Sequence, residues 1–144
     1  MKDYSLKYDM RLVYLFLFFS MSTIFAQKST HPIDIKNKQC HENAIPTTKA
    51  AMNCENEALI SWNNEMKNYL ELLKKKNKQI DIVLLEKSQK KWSDFYKTDV
   101  ALQYSYLDRL YDGGTMSRIV KWTYRKEEVR KRALKLKHLF ENLE

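Results

Sequence analysis

At 144 residues, with 44% apolar and 31% charged side chains and a formal charge of +8, the chain holds one domain's worth of foldable sequence. Only two glycines, two prolines and two cysteines are present. That excludes a turn-rich β-sandwich or barrel, a glycine-loop nucleotide site, a disulfide-dense mini-protein and a four-thiolate zinc site. The 12% aromatic content excludes a disordered chain. One mostly helical domain remains.

The chain opens on an address. Leu12 to Ala26 is an uncharged apolar run, preceded by Lys2, Lys7 and Arg11 and closed by Ala26. Basic, then apolar, then small is the order of a secretory leader, and the run is too short for a comfortable bilayer span. Met10 offers a more compact alternative start. Residues 1–26 are therefore read as a signal peptide, with no stable membrane span after its removal. Residues 27–46 are expected to be an irregular tail. Export places the protein in the periplasm or outside the cell.

From Thr48 the apolar spacing is helical. The first helix is expected over Thr48 to Lys76, with Thr48 as its cap and a stripe of Met52, Leu59, Trp62, Met66, Tyr69 and Leu73. The second follows Asp81 and runs to Tyr111. Its stripe is Leu85, Ser88, Trp92, Phe95, Asp99, Leu102, Tyr106 and Leu110. Asp112-Gly113-Gly114 stops it, because glycine past a helix end accepts the left-handed conformation. The third follows Thr115 and runs to Asn142, with Ile119, Trp122, Lys126, Val129, Ala133, Leu136 and Phe140 facing inward. Trp62, Trp92 and Trp122 supply one large core anchor per helix. The fold class is all-α: an antiparallel up-down-up three-helix bundle over residues 47–144, with the tail before it.

Cys40 and Cys54 are the only cysteines. In an exported chain an even count favours a bridge. A closed loop of about 15 residues stabilises by roughly 3 kcal/mol in the loop-entropy picture. The other reading joins Cys40, His41 and Cys54 as metal ligands, and it lacks a fourth donor at sensible spacing.

Catalytic chemistry finds no support. No nucleophile–His–acid constellation stands out, no His-Glu-x-x-His helix is present, and adjacent carboxylates such as Glu127 and Glu128 point about 100° apart. The expectation is a non-enzyme without cofactor, metal or small-molecule substrate. Charge offers one binding surface. Arg118, Lys121, Arg125, Arg130, Lys131, Arg132, Lys135 and Lys137 crowd the last helix, as a polyanion site or as a solvated face laced with ion pairs. The polyanion would be an anionic glycolipid such as lipopolysaccharide, or an acidic lipid. Glu55, Glu57 and Glu65 offer a local acidic patch or another solvated face.

Leu85 to Phe95 reads LEKSQKKWSDF. It resembles the L-x-x-A/S-Q-x-x-W-x-x-F/Y signature of the LprI-type lysozyme-inhibitor domain, a family of small exported bacterial proteins. Leu85, Gln89, Trp92 and Phe95 carry the match. TKAAMNC at Thr48 to Cys54, MKNYLELL at Met66 to Leu73 and the Gly113-Gly114-Thr115 turn fit in order. The likeness covers about residues 40–140. Relatives often have a second cysteine pair, where Val100 and Tyr124 stand here. Their joint loss implies that Cys40 and Cys54 pair with each other. The resemblance implies a helical, non-catalytic, exported protein that binds a macromolecule: lysozyme or another envelope protein. The contrasting class is the envelope polyanion binder.

Overall fold

The computed structural model describes residues 31–143, and the leader expected at 1–26 lies outside them. All regular structure in the described residues is helical. The helices are α1 (Pro32–Asn43), α2 (Thr48–Lys75), α3 (Ile82–Leu110) and α4 (Thr115–Glu141). The three-helix expectation is thus corrected to four, because part of the tail is itself a helix. Its sequence, PIDIKNKQCHEN, is mostly polar and carries little periodic signal. A 12-residue helix of this kind is marginal alone. Pro32 presets its first turn, and His31 Nδ1 accepts from the Ile33 N–H at 3.3 Å. Tertiary tethers do the rest.

The long helices begin where short polar side chains can take free N–H groups. Thr47 accepts from Ala50, one residue ahead of the expected cap. Asp81 accepts from Leu84 at 2.9 Å. The α3–α4 turn is tight. The Gly113 N–H reaches back to the Asp108 carbonyl at 2.9 Å, and both Asp112 (φ 49°) and Gly113 (φ 65°) are left-handed. A Cβ on Gly114 would sit 3.2 Å from the Tyr111 carbonyl oxygen.

Contacts between helices fix their directions. Along α2 and α4, Glu55 meets Lys126, Trp62 meets Arg130, and Lys76 meets Phe140, so the two run parallel. Along α3, Gln89 meets Arg132, Asp99 meets Tyr124, and Asp108 meets Lys121, so α3 runs antiparallel to α4. Helix α1 runs antiparallel to both α2 and α4 and ties to each of them. The core is Leu59, Trp62, Met66 and Leu73 of α2 against Val129, Ala133 and Leu136 of α4, with Leu85 of α3. Both outer stripes therefore match the sequence expectation.

The stripe expected on α3 matches only in part, at Leu85, Trp92 and Asp99. Ser88, Phe95, Leu102, Tyr106 and Leu110 are exposed, and only Leu85 and Leu107 of this helix are buried. The seam that α3 actually presents passes through Leu85, Gln89, Trp92, Tyr96, Asp99, Gln103 and Leu107. It shares Leu85, Trp92 and Asp99 with the expected stripe, and it takes Tyr96, Gln103 and Leu107 where Phe95, Leu102 and Tyr106 were expected, one residue on. The reason is the partner surface: α4 offers α3 arginine, lysine and tyrosine there, so aromatic and polar side chains face it. Trp62 is fully buried, whereas Trp92 and Trp122 are half-buried at the core's edge.

Among the described residues, no helix is long and apolar enough to cross a membrane.

Candidate functional site

Helix α1 is clamped to the body by covalent and charged ties. Cys40 and Cys54 are joined in a disulfide, so neither sulfur is free to hold a metal. Asn37 donates to the Cys54 carbonyl at 3.1 Å and accepts from Lys126 at 3.1 Å. Glu55 is buried between His41 (2.7 Å) and Lys126 (3.0 Å). Burial of such charges is tolerated because each has partners. His31 packs against Trp62 in a tilted arrangement, ring centroids 4.4 Å apart, and lies 3.6 Å from Glu65. Glu55, Glu57 and Glu65 therefore form no shared acidic face: two of the three are spent on histidines. A cavity of about 180 Å³ lies beside the disulfide, lined in part by Ile33, Lys36 and Ala58.

The basic residues of α4 are distributed around the helix. Arg130 takes both oxygens of Asp34, whose carboxylate raises the guanidinium's pKa further. Arg132 is buried, donates to Gln89 and Ser88, and lies over Trp92; burial lowers its pKa. Arg125 lies over Trp122, and against the opposing effect of burial the neighbouring Tyr96 and Tyr104 raise its pKa. Lys121 bonds Asp108 and covers Tyr104. Lys131 pairs with Glu128 and Lys137 with Glu141. Arg118 and Lys135 are exposed. Internal pairing, rather than one continuous basic face, is what most of this charge does.

The α3–α4 seam is a ladder of rings and cations. Trp92 stacks on Tyr96 at 5.2 Å. Below it, Asp99 accepts from the Tyr124 hydroxyl in a short hydrogen bond, and Asp108 accepts from Ser117 and Lys121. Burial first, and then the Asp99 bond, push the Tyr124 hydroxyl well above its ordinary range. Bonds from Lys121 and then Ser117 hold Asp108 below the usual carboxylate range. The sequence hid Tyr96. The one available signal was its spacing from Leu85, at helical steps that pass over Phe95.

Of the signature residues, Leu85, Gln89 and Trp92 converge: Leu85 joins the core, Gln89 also reaches the Met66 sulfur, and Trp92 takes the Arg132 guanidinium. Phe95 departs from them and faces outward. Gly113 and Gly114 shape the hairpin's end. Around that end Leu110, Tyr111 and Met116 are exposed. Along the outer flank of α3, Leu84, Phe95, Leu102 and Tyr106 are exposed as well. Apolar side chains grouped in this way mark contact surfaces more than scattered ones do. Among the described residues no three His, Cys, Asp or Glu side chains come together to hold a metal ion.

The family model for lysozyme inhibitor LprI matches residues 40–136. The chain belongs to the LprI family. The match opens at Cys40, inside α1, and closes at Leu136, inside α4, so the LprI region takes in both halves of the disulfide, all of α3 and α4 as far as Leu136. Comparisons with curated proteins and with solved structures find no match.

Proposed function

We propose that this LprI-family chain is an exported, non-catalytic protein that binds lysozyme and blocks it, with the end of the α3–α4 hairpin as the contact. Membership of a family of lysozyme inhibitors carries the reading. The geometry supports it. The charged groups of α1 and of the α3–α4 seam are largely satisfied internally, and Leu110, Tyr111 and Met116 are exposed apolar surface grouped at a tight turn. Interface cores favour aromatic residues and methionine. The basic–apolar–small pattern of residues 1–26 and the disulfide agree with an exported protein.

Animal lysozymes are basic, and this chain carries +8. Long-range repulsion slows their encounter, so binding must come from close apolar contact. The test is retention on immobilised lysozyme at low and moderate salt. The oxidised protein is expected to be retained, and more strongly at moderate salt, where repulsion is screened. Met116→Asp at the hairpin end is expected to abolish retention while helicity stays unchanged. Absence of retention at either salt overturns the reading.

A further inference from the structure

The outer flank of α3 carries an apolar stripe that neither the fold nor the proposed hairpin contact uses. Leu84 (60% exposed), Phe95 (61%), Leu102 (64%) and Tyr106 (56%) stand on one side of the helix at spacings of eleven, seven and four residues. The stripe runs for about 33 Å at 1.5 Å per residue. We propose that this flank pairs with the same flank of a second copy of the chain, as an antiparallel, two-fold symmetric helix pair centred on Phe95.

The pattern itself names the occupant. A two-fold interface must be complementary to itself, each position meeting the one it mirrors. About Phe95 the stripe reads nearly the same in both directions. Leu84 comes level with Tyr106 across the axis, Leu102 with the small Ser88, and Phe95 with its own copy. Charges agree with this register. Lys91 comes level with Asp99, whose carboxylate is turned to Tyr124, Lys87 with Gln103, and Lys90 with Val100, so no two like charges meet. Neighbouring registers do worse. Centring on Lys97 sets that lysine against itself and Glu86 level with Asp108. Centring between Ser93 and Asp94 brings Lys90 level with Lys97. Like charges held together are a cost that an antiparallel pair avoids by its choice of register.

The area fits a weak dimer. A fully buried aromatic hides about 150–250 Å², so Phe95 and Tyr106 at their exposure each have roughly 120 Å² left to bury. With the leucines, two copies offer on the order of 900 Å², just under the ~1,000 Å² at which specific interfaces begin. Association should therefore be reversible and dependent on concentration. It leaves Leu110, Tyr111 and Met116 outside the pair, so its success or failure is separable from lysozyme binding.

The experiment is sedimentation of the oxidised protein, without lysozyme, over a wide concentration range, joined to thiol cross-linking. The expected result is a monomer–dimer equilibrium that Phe95→Asp shifts fully to monomer with its circular dichroism unchanged. Phe95→Cys is expected to cross-link to itself through a short bis-maleimide. Leu102→Cys is not, because its copies lie about 21 Å apart along the axis, yet it is expected to link to Ser88→Cys when the two are mixed. A monomer at every concentration overturns the proposal. So does self-linking of Leu102→Cys without linking to Ser88→Cys, which is the mark of a parallel pair. Loss of lysozyme retention in Phe95→Asp, with the wild type monomeric, assigns the flank to the enzyme instead and also overturns it.

Discussion

Arg130 grips both carboxylate oxygens of Asp34, with Nε at 2.9 and 3.0 Å and Nη2 at 2.7 Å. The two residues are 96 positions apart. This fork joins the first described helix to the last, and it lies beside Trp62, whose ring Arg130 also covers at 5.6 Å. Asp34→Asn keeps the shape and removes the charge. It is expected to cost about 1–2 kcal/mol, the range for a charge-assisted bond at a partly exposed site. Amide exchange should speed up in α1 and stay slow in the cores of α2 and α4.

Reducing the disulfide removes the second tie on α1. Replacing Cys40 and Cys54 together by serine is expected to lower stability by about 3 kcal/mol. Thermal unfolding, followed by circular dichroism, checks it. Combined with Asp34→Asn, the double cysteine variant should lose α1 while retaining the α2–α4 core.

Trp62 is fully buried, and its indole N–H finds no hydrogen-bond partner among the described residues. Trp62→Ala is expected to cost about 3–5 kcal/mol. Trp62→Phe should cost much less, because it also removes an orphan donor whose burial opposes folding by about 1–3 kcal/mol. Equal costs in chemical denaturation would show that the N–H is satisfied.

Tyr124 yields a pH prediction. Its folded pKa lies above the ordinary value of 10, through burial first and the Asp99 bond second. A group whose folded pKa is raised contributes stability that is complete below the unfolded pKa and is lost as pH rises through the folded one. Stability should therefore fall above about pH 10, and tyrosinate absorbance should show a late-ionising step to which Tyr104, raised by burial, also contributes. Tyr124→Phe should shrink that late step. Asp108 works in the opposite sense. Its carboxyl is held low by Lys121 and Ser117, so its contribution is present above the ordinary carboxylate range and fades as acid is added.

The difference between neighbours on α3 can be measured directly. Leu107→Ala is expected to cost about 2–3 kcal/mol, and Leu102→Ala under about 0.5 kcal/mol in dilute solution. The same pair of residues shows what the sequence can and cannot reveal. In α2 and α4 the apolar stripes point at each other, so periodicity alone finds Leu59, Trp62, Met66, Val129, Ala133 and Leu136. In α3 the expected stripe and the packed face share Leu85, Trp92 and Asp99 but part at Phe95, Leu102 and Tyr106, which are exposed. Tyr96 packs there instead because it stacks on Trp92 beside the cations of α4, a fact that no local pattern carries. Helix α1 was hidden for a related reason: its polar side chains are held by Arg130, Lys126 and a disulfide, all from elsewhere in the chain. The glycine turn and the cysteine pair were legible because each depends on backbone geometry or covalent chemistry rather than on neighbours. The exposed flank and the hairpin end were legible as residues but not as surface, since exposure is decided by where α3 lies.

The central claim is that the protein blocks lysozyme by contact. The most direct measurement is the rate at which lysozyme clears a bacterial cell-wall suspension in the presence of increasing amounts of oxidised protein. The claim predicts slowing that saturates at a fixed ratio of protein to enzyme and is lost in Met116→Asp. An unchanged rate at excess protein would contradict it.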